Sequence, residues 1–187
     1  MASESERRTA RNHPKAAKKH FFIALLIAVT IMSGCSETTV SAVDYVRSHA
    51  TDVDQVTSAV AKVQDATSDG LEDARLDPSA AATLSRTLYQ AQQTFEAVNH
   101  TFLSAPKPKD LDTPGLEMWS ATDKMIDAMK AGRAYLDDGK PSELVGYRDK
   151  WATGLAWWNQ AVVPIWTAAG ASTQPTISGV PPAPPVT

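Results

Sequence analysis

Acid–base or metal chemistry in this chain of 187 residues has to be built from few side chains. Beyond the first 34 residues the only histidines are His49 and His100. Glu96 and His100 stand four apart, whereas a di-iron carboxylate site takes two Glu-x-x-His pairs and two further inward glutamates. The pair therefore reads as a solvated i,i+4 contact. His49 follows Val46 by three residues within a valine stripe, the position of a core histidine with one hydrogen-bond partner rather than of a ligand. Asp123 and Asp127 make a second i,i+4 pair. Paired carboxylates do acid–base work where burial drives their pKa values apart, but Lys124 and Lys130 beside these two mark a polar face. Met118, Met125 and Met129 lie near one helix face and resemble a soft-metal set. With no histidine or cysteine on the same element they read as core filling. Gly-x-Ser-x-Gly, His-Glu-x-x-His and a glycine-rich phosphate loop are absent. No residue is assigned as catalytic, no metal ligand is assigned and no cofactor is expected.

Cys35 is the sole cysteine, so neither a disulfide nor a cysteine metal cluster can form within the chain. It closes a distinctive stretch. Arg7, Arg8, Arg11, Lys15, Lys18 and Lys19 outweigh Glu4 and Glu6, and an apolar run from Phe21 to Met32 follows. That run is shorter than the roughly 20 residues of a spanning helix, and a basic region ahead of a short apolar one is the pattern of a secretory signal. The competing reading is a retained anchor carrying a free thiol.

Met32-Ser33-Gly34-Cys35 resembles the lipobox of bacterial lipoproteins, in which an apolar residue and two small residues precede the cysteine that receives diacylglycerol; Met stands where Leu is usual. The resemblance implies cleavage before Cys35 and lipid on its thiol, with the protein held on the extracytoplasmic face of the cell membrane. Several acyl chains anchor firmly where one holds only marginally. Thr9-Ala10-Arg11 after Arg7-Arg8 departs from the twin-arginine pattern, which leaves the general secretion route. In composition, and in the closing "WWNQAVVPIWTAAG", the chain is similar in style to small lipoproteins of high-GC actinobacteria and their prophages. That likeness carries no catalytic motif with it.

The elements that would position any site lie after the leader. Residues 35–187 carry 12 Lys/Arg and 19 Asp/Glu. An acidic surface of this kind repels phosphate backbones, so nucleic acid is not an expected partner. Apolar residues recur at helical spacing in four stretches. The first runs from about Thr39 to Asp69 with Val46, His49, Val53, Val56, Val60 and Val63 on one stripe, and Gly70 is placed to end it. The second opens at Asp77-Pro78, an N-cap with proline at the first helical position, and carries Ala81, Leu84, Leu88, Ala91, Phe95, Val98 and Phe102. "SAPKPKDLDTPG" at 104–115 breaks it. The third starts at Pro114, points Leu116, Trp119, Ile126, Met129 and Leu136 inward, and stops at Asp138-Gly139. The fourth starts at Pro141 and presents Leu144, Tyr147, Trp151, Leu155, Trp158, Val162 and Ile165 up to about Gly170, with Pro164 expected to kink or loosen its last turns.

The expected fold is all-α. Residues 1–34 form a signal peptide, 35–170 an antiparallel up-down four-helix bundle, and 171–187 a disordered Pro-rich tail with five prolines and no charge. Only Ser36, Glu37 and Thr38 separate Cys35 from the first helix, so one end of the bundle should sit close to the bilayer.

All five tryptophans fall in the last two helices. Trp157 is rotated about 100° from Trp158, so both can hardly point inward. Trp157, with Asn159 and Gln160, forms a candidate contact for an envelope protein or a glycan; the alternative is a thickly buried last helix that packs two neighbours at once. The expected function is a lipid-anchored binding module at the cell envelope. A metal- or haem-handling bundle using His49, His100 and the methionines is a second class, and a surface lipoprotein that blocks related phages a third.

Overall fold

Ser41 sets the start of the first helix. Its hydroxyl accepts from the Asp44 backbone N–H at 3.1 Å and donates to the Asp44 carboxylate at 2.7 Å, a local cap that satisfies one orphan donor of the opening turn. The helix it opens, α1, spans Ala42–Ala66, and four more follow: α2 Leu71–Leu76, α3 Pro78–Ser104, α4 Asp112–Asp138 and α5 Pro141–Ala168. This computed structural model describes residues 39–179. The expected signal peptide, Cys35 and residues 180–187 lie outside that range. Among the described residues the protein is all-helical, with one isolated bridge between Val40 and Pro108, and no helix is long and apolar enough to cross a membrane.

α1, α3 and α5 follow the expected stripes, whereas α4 starts at Asp112, two residues ahead of Pro114. Asp77 caps α3 through the Ser79 N–H at 2.8 Å, with Pro78 in the first turn. Lys107 folds its ammonium back onto the Phe102 carbonyl at the other end of α3, and burial there lowers its pKa. Gly139, at φ +71, ends α4 by donating to the Tyr135 carbonyl at 2.8 Å. α5 runs through Pro164 to Ala168. The short α2 was not expected. Gly70, at φ +89, turns the chain so that Leu71 is buried. Glu72 and Asp73 stand at the N-terminal end of α2 and Arg75 at its C-terminal end, the arrangement that its dipole favours. Arg148 of α5 pairs with Glu72, and the Arg75 guanidinium lies 5.8 Å from the Tyr135 ring centroid.

Packing is tightest between α4 and α5. A Cβ on Gly132 would come within 2.9 Å of the Tyr147 ring, and one on Gly154 within 3.1 Å of the Ala121 carbonyl oxygen. Gly132 thus faces Tyr147 while Gly154 faces Ala121 and Met125, so the two helices run antiparallel. α3 meets α4 in the same sense, with Asn99 on Trp119 and Thr122 and Gln92 on Arg133. The small residues explain one departure from expectation. Ala121, Ala128, Ala131 and Gly132 give α4 a second buried face toward α5, which a count of large apolar residues does not register. Met118 is fully buried instead of Leu116, which is 47% exposed. Fully buried aromatic and aliphatic side chains such as Phe95, Phe102, Trp158 and Leu88 fill the centre, each contributing about 1.5–3 kcal/mol relative to an exposed one. α1 packs less closely on α3, and a groove of about 760 Å³ lined by Gln55, Ser58, Gln90 and Thr94 lies between them.

Candidate interaction face on the last helix

The expected contact residues on α5 go to three different environments. Gln160 is exposed. Trp157 is partly buried against the core, with the Lys124 ammonium 5.9 Å from its ring centroid, a cation–π arrangement that shields one face of the indole. Asn159 is occupied. Its Nδ2 donates to the Ile177 carbonyl at 2.8 Å, and its Oδ1 accepts the Ile177 N–H at 2.7 Å.

The partner of Asn159 belongs to the segment expected to be a disordered tail, and the structure differs there. Residues 171–179 fold back onto α5. The cause is local. Gly170 takes φ +73, the Ala171 N–H bonds the Trp166 carbonyl and the Gly170 N–H bonds the Thr167 carbonyl, each at 3.0 Å. That pair of bonds is a Schellman ending, which reverses the chain at the helix terminus. Beyond it the Trp158 indole N–H donates to the Pro175 carbonyl at 3.0 Å, and the Gln174 amide reaches the Thr167 hydroxyl at 3.2 Å. The Thr176 N–H bonds the Gln174 carbonyl at 2.8 Å across Pro175, a three-residue turn. Ile177 then buries its side chain to 8% exposure. Sequence reasoning weighed the prolines and passed over the one aliphatic residue among small and polar neighbours just past a helix-ending glycine.

Of the remaining candidates, His49 and the methionines are packed among neighbours. His49 is buried on α1, its Nδ1 3.0 Å from the Asp52 carboxylate and its ring between Tyr45, 4.4 Å away, and Phe102, 5.5 Å away. The Tyr45 hydroxyl donates to the Met118 sulfur at 3.9 Å. Burial, and secondarily the Asp52 carboxylate, hold its pKa well above the ordinary tyrosine value. Met118, Met125 and Met129 are all buried. His100 is exposed on α3, and Glu96 accepts from Gln92 at 2.8 Å rather than pairing with His100. Among the described residues no group of three His, Cys, Asp or Glu comes together as a metal site. An unforeseen polar set joins α3 to α4: the Arg133 guanidinium lies 4.7 Å over the Tyr89 ring and donates to Gln92 at 3.0 Å.

The arrangement on α5 suits recognition of a peptide main chain. One carboxamide and one indole N–H satisfy three backbone groups of an irregular segment, groups that would be costly to bury unpaired. No protein-family model, no curated protein and no solved structure matches the chain.

Proposed function

We propose that this protein is an extracytoplasmic lipoprotein, anchored by lipid on Cys35, whose helical domain is a binding module of the cell envelope. The observation that carries this reading is the succession of sequence features at the start of the chain: a basic stretch, a short apolar run and Met32-Ser33-Gly34-Cys35. In this reading the four long helices form an antiparallel up-down four-helix bundle, supported by the facing pairs Gly132–Tyr147 and Asn99–Trp119. One end of the bundle in this reading sits close to the bilayer, since only Ser36, Glu37 and Thr38 lie between Cys35 and Thr39. The partner is an envelope protein rather than a glycan, a reading supported by the main-chain hydrogen bonding that Trp158 and Asn159 of α5 already make to the chain's own C-terminal segment. No nucleic acid is involved.

The test is the intact mass of the membrane-extracted protein. A chain beginning at Cys35 with added acyl mass is expected, and Cys35→Ser should abolish that mass increment. A chain beginning at Met1 or Ala2 without acyl groups would overturn the reading.

A further inference from the structure

Residues 171–177 occupy the seam between α1 and α5 in an uneven way. The side chains that hold the segment address its main chain: Trp158 reads the Pro175 carbonyl, and Asn159 reads both backbone groups of Ile177. Ile177 alone is buried, while Thr176 and Ser178 are exposed. Main-chain bonds of this kind give affinity with little dependence on sequence, and a pocket for one side chain gives selectivity. The seam is also not filled. A cleft of about 230 Å³, bounded by Val46, Ala50, Val53 and Trp166, stays open beside Gln174 and Pro175. The segment is flanked by Gly170 and Gly179, at φ +73 and +75, each with open space where a Cβ would stand.

We propose that the α1–α5 seam is a peptide-binding groove, that its partner is an uncharged segment of another protein with an aliphatic residue two positions after a proline, and that Pro175-Thr176-Ile177 occupies it in cis until such a segment competes. The chemistry of the partner is read from the occupant: a proline turn that aims a carbonyl at Trp158, then a backbone that pairs with Asn159 while an aliphatic side chain is buried as Ile177 is. This identification deepens the binding-module reading and rests on it. A tethered ligand competes at an effective concentration on the order of millimolar, so the groove is masked in the free protein and opens to a partner that binds more tightly or is locally abundant.

The test uses the full chain in detergent and a fluorescein-labelled peptide of residues 171–179, ASTQPTISG, followed by fluorescence anisotropy. Ile177→Asp should vacate the groove and bind the peptide at least tenfold more tightly than the wild type. Adding Asn159→Ala to Ile177→Asp should weaken that binding at least tenfold, and a peptide with Asp in place of Ile should not bind. A folded Ile177→Asp protein that ignores the peptide overturns the proposal. Should Ile177→Asp fail to fold, the wild type decides through the Trp158 indole N–H resonance. Movement of that resonance with millimolar peptide supports exchange, and an unchanged resonance overturns it. A concentration-dependent dimer that disappears in Ile177→Asp would make a second copy the occupant and would equally overturn a heterologous partner. None of these outcomes alters the acyl mass at Cys35, so failure here and failure of the anchor are separate results.

Discussion

Asn159 and Ile177, 18 residues apart, are joined by two hydrogen bonds through one carboxamide, at 2.8 and 2.7 Å. The pairing copies what a neighbouring strand would offer and needs only a side chain on a helix. It turns a residue that looked free for an external partner into the clasp of the chain's own C-terminal segment.

Asn159→Ala should therefore leave both backbone groups of Ile177 without a protein partner. A loss of about 1–3 kcal/mol is expected for unsatisfied, largely desolvated groups, read by urea denaturation. Faster amide exchange at Ile177 should accompany it. Asn159→Asp keeps the acceptor and loses the donor, setting a carboxylate against a carbonyl, and should be no better than Ala. A change under about 0.3 kcal/mol in Asn159→Ala would mean that water replaces the clasp at no cost.

Two glycines of α5 should respond with opposite signs. At Gly146 an added Cβ meets only the Ala131 methyl, at an ordinary 3.9 Å. Gly146→Ala should stabilise by about 0.5–1 kcal/mol through helix propensity. At Gly154 the Cβ would lie 3.1 Å from the Ala121 carbonyl oxygen and 3.2 Å from the Met125 backbone nitrogen. That backbone moves only if α4 moves, so Gly154→Ala should destabilise by about 1–3 kcal/mol. Thermal unfolding of the two variants side by side checks the contrast.

Alkaline pH should weaken the fold. Burial, followed by the Asp52 carboxylate, raises the Tyr45 pKa above the ordinary value of 10.0, and burial raises that of Tyr147 in the same direction. A tyrosine whose pKa is raised on folding keeps its full stabilising contribution below pH 10 and loses it as pH rises further, because the unfolded chain gives up the proton first. Denaturation midpoints should fall as pH rises from about 10 to 11. Tyr45→Phe should shallow that fall without removing the share of Tyr147. At pH 7 the same substitution should cost little, since the hydroxyl gives up only a thioether acceptor. A midpoint that stays flat to pH 11 in the wild type would refute this.

Trp157→Ala should leave a folded protein. The indole is partly buried and its best-defined partner is the Lys124 ammonium, an interaction of about 0.5–1 kcal/mol at such a site. Lys124→Ala should lower stability by a similar few tenths to 1 kcal/mol and shift the tryptophan emission. Collapse of the far-ultraviolet dichroism in Trp157→Ala would instead make Trp157 an essential part of the core.

The sequence alone determined where the long helices lie, because their signals are local. Asp77-Pro78 opens α3, Gly139 and Pro141 separate α4 from α5, and spacings of three and four mark the stripes from Val53 to Val63 and from Leu84 to Phe102. Each signal depends on the backbone of a few neighbouring residues, so no tertiary partner is needed to read it.

Tertiary structure decided what those helices face. Leu116 and Met118 are both apolar, and Met118 is the one that is buried, against the Tyr45 hydroxyl of α1. The six residues of α2 are too few to display a period, and the helix exists because Leu71 finds the core and Glu72 finds Arg148. Residues 171–177 carry no local signal of order. Their position follows from a left-handed turn at Gly170 and from Trp158 and Asn159, which wait 17 and 18 residues upstream of their partners with hydrogen-bonding groups that a returning chain can satisfy. A buried amide must find a partner, and which partner it finds depends on distances across the fold that no window of sequence contains.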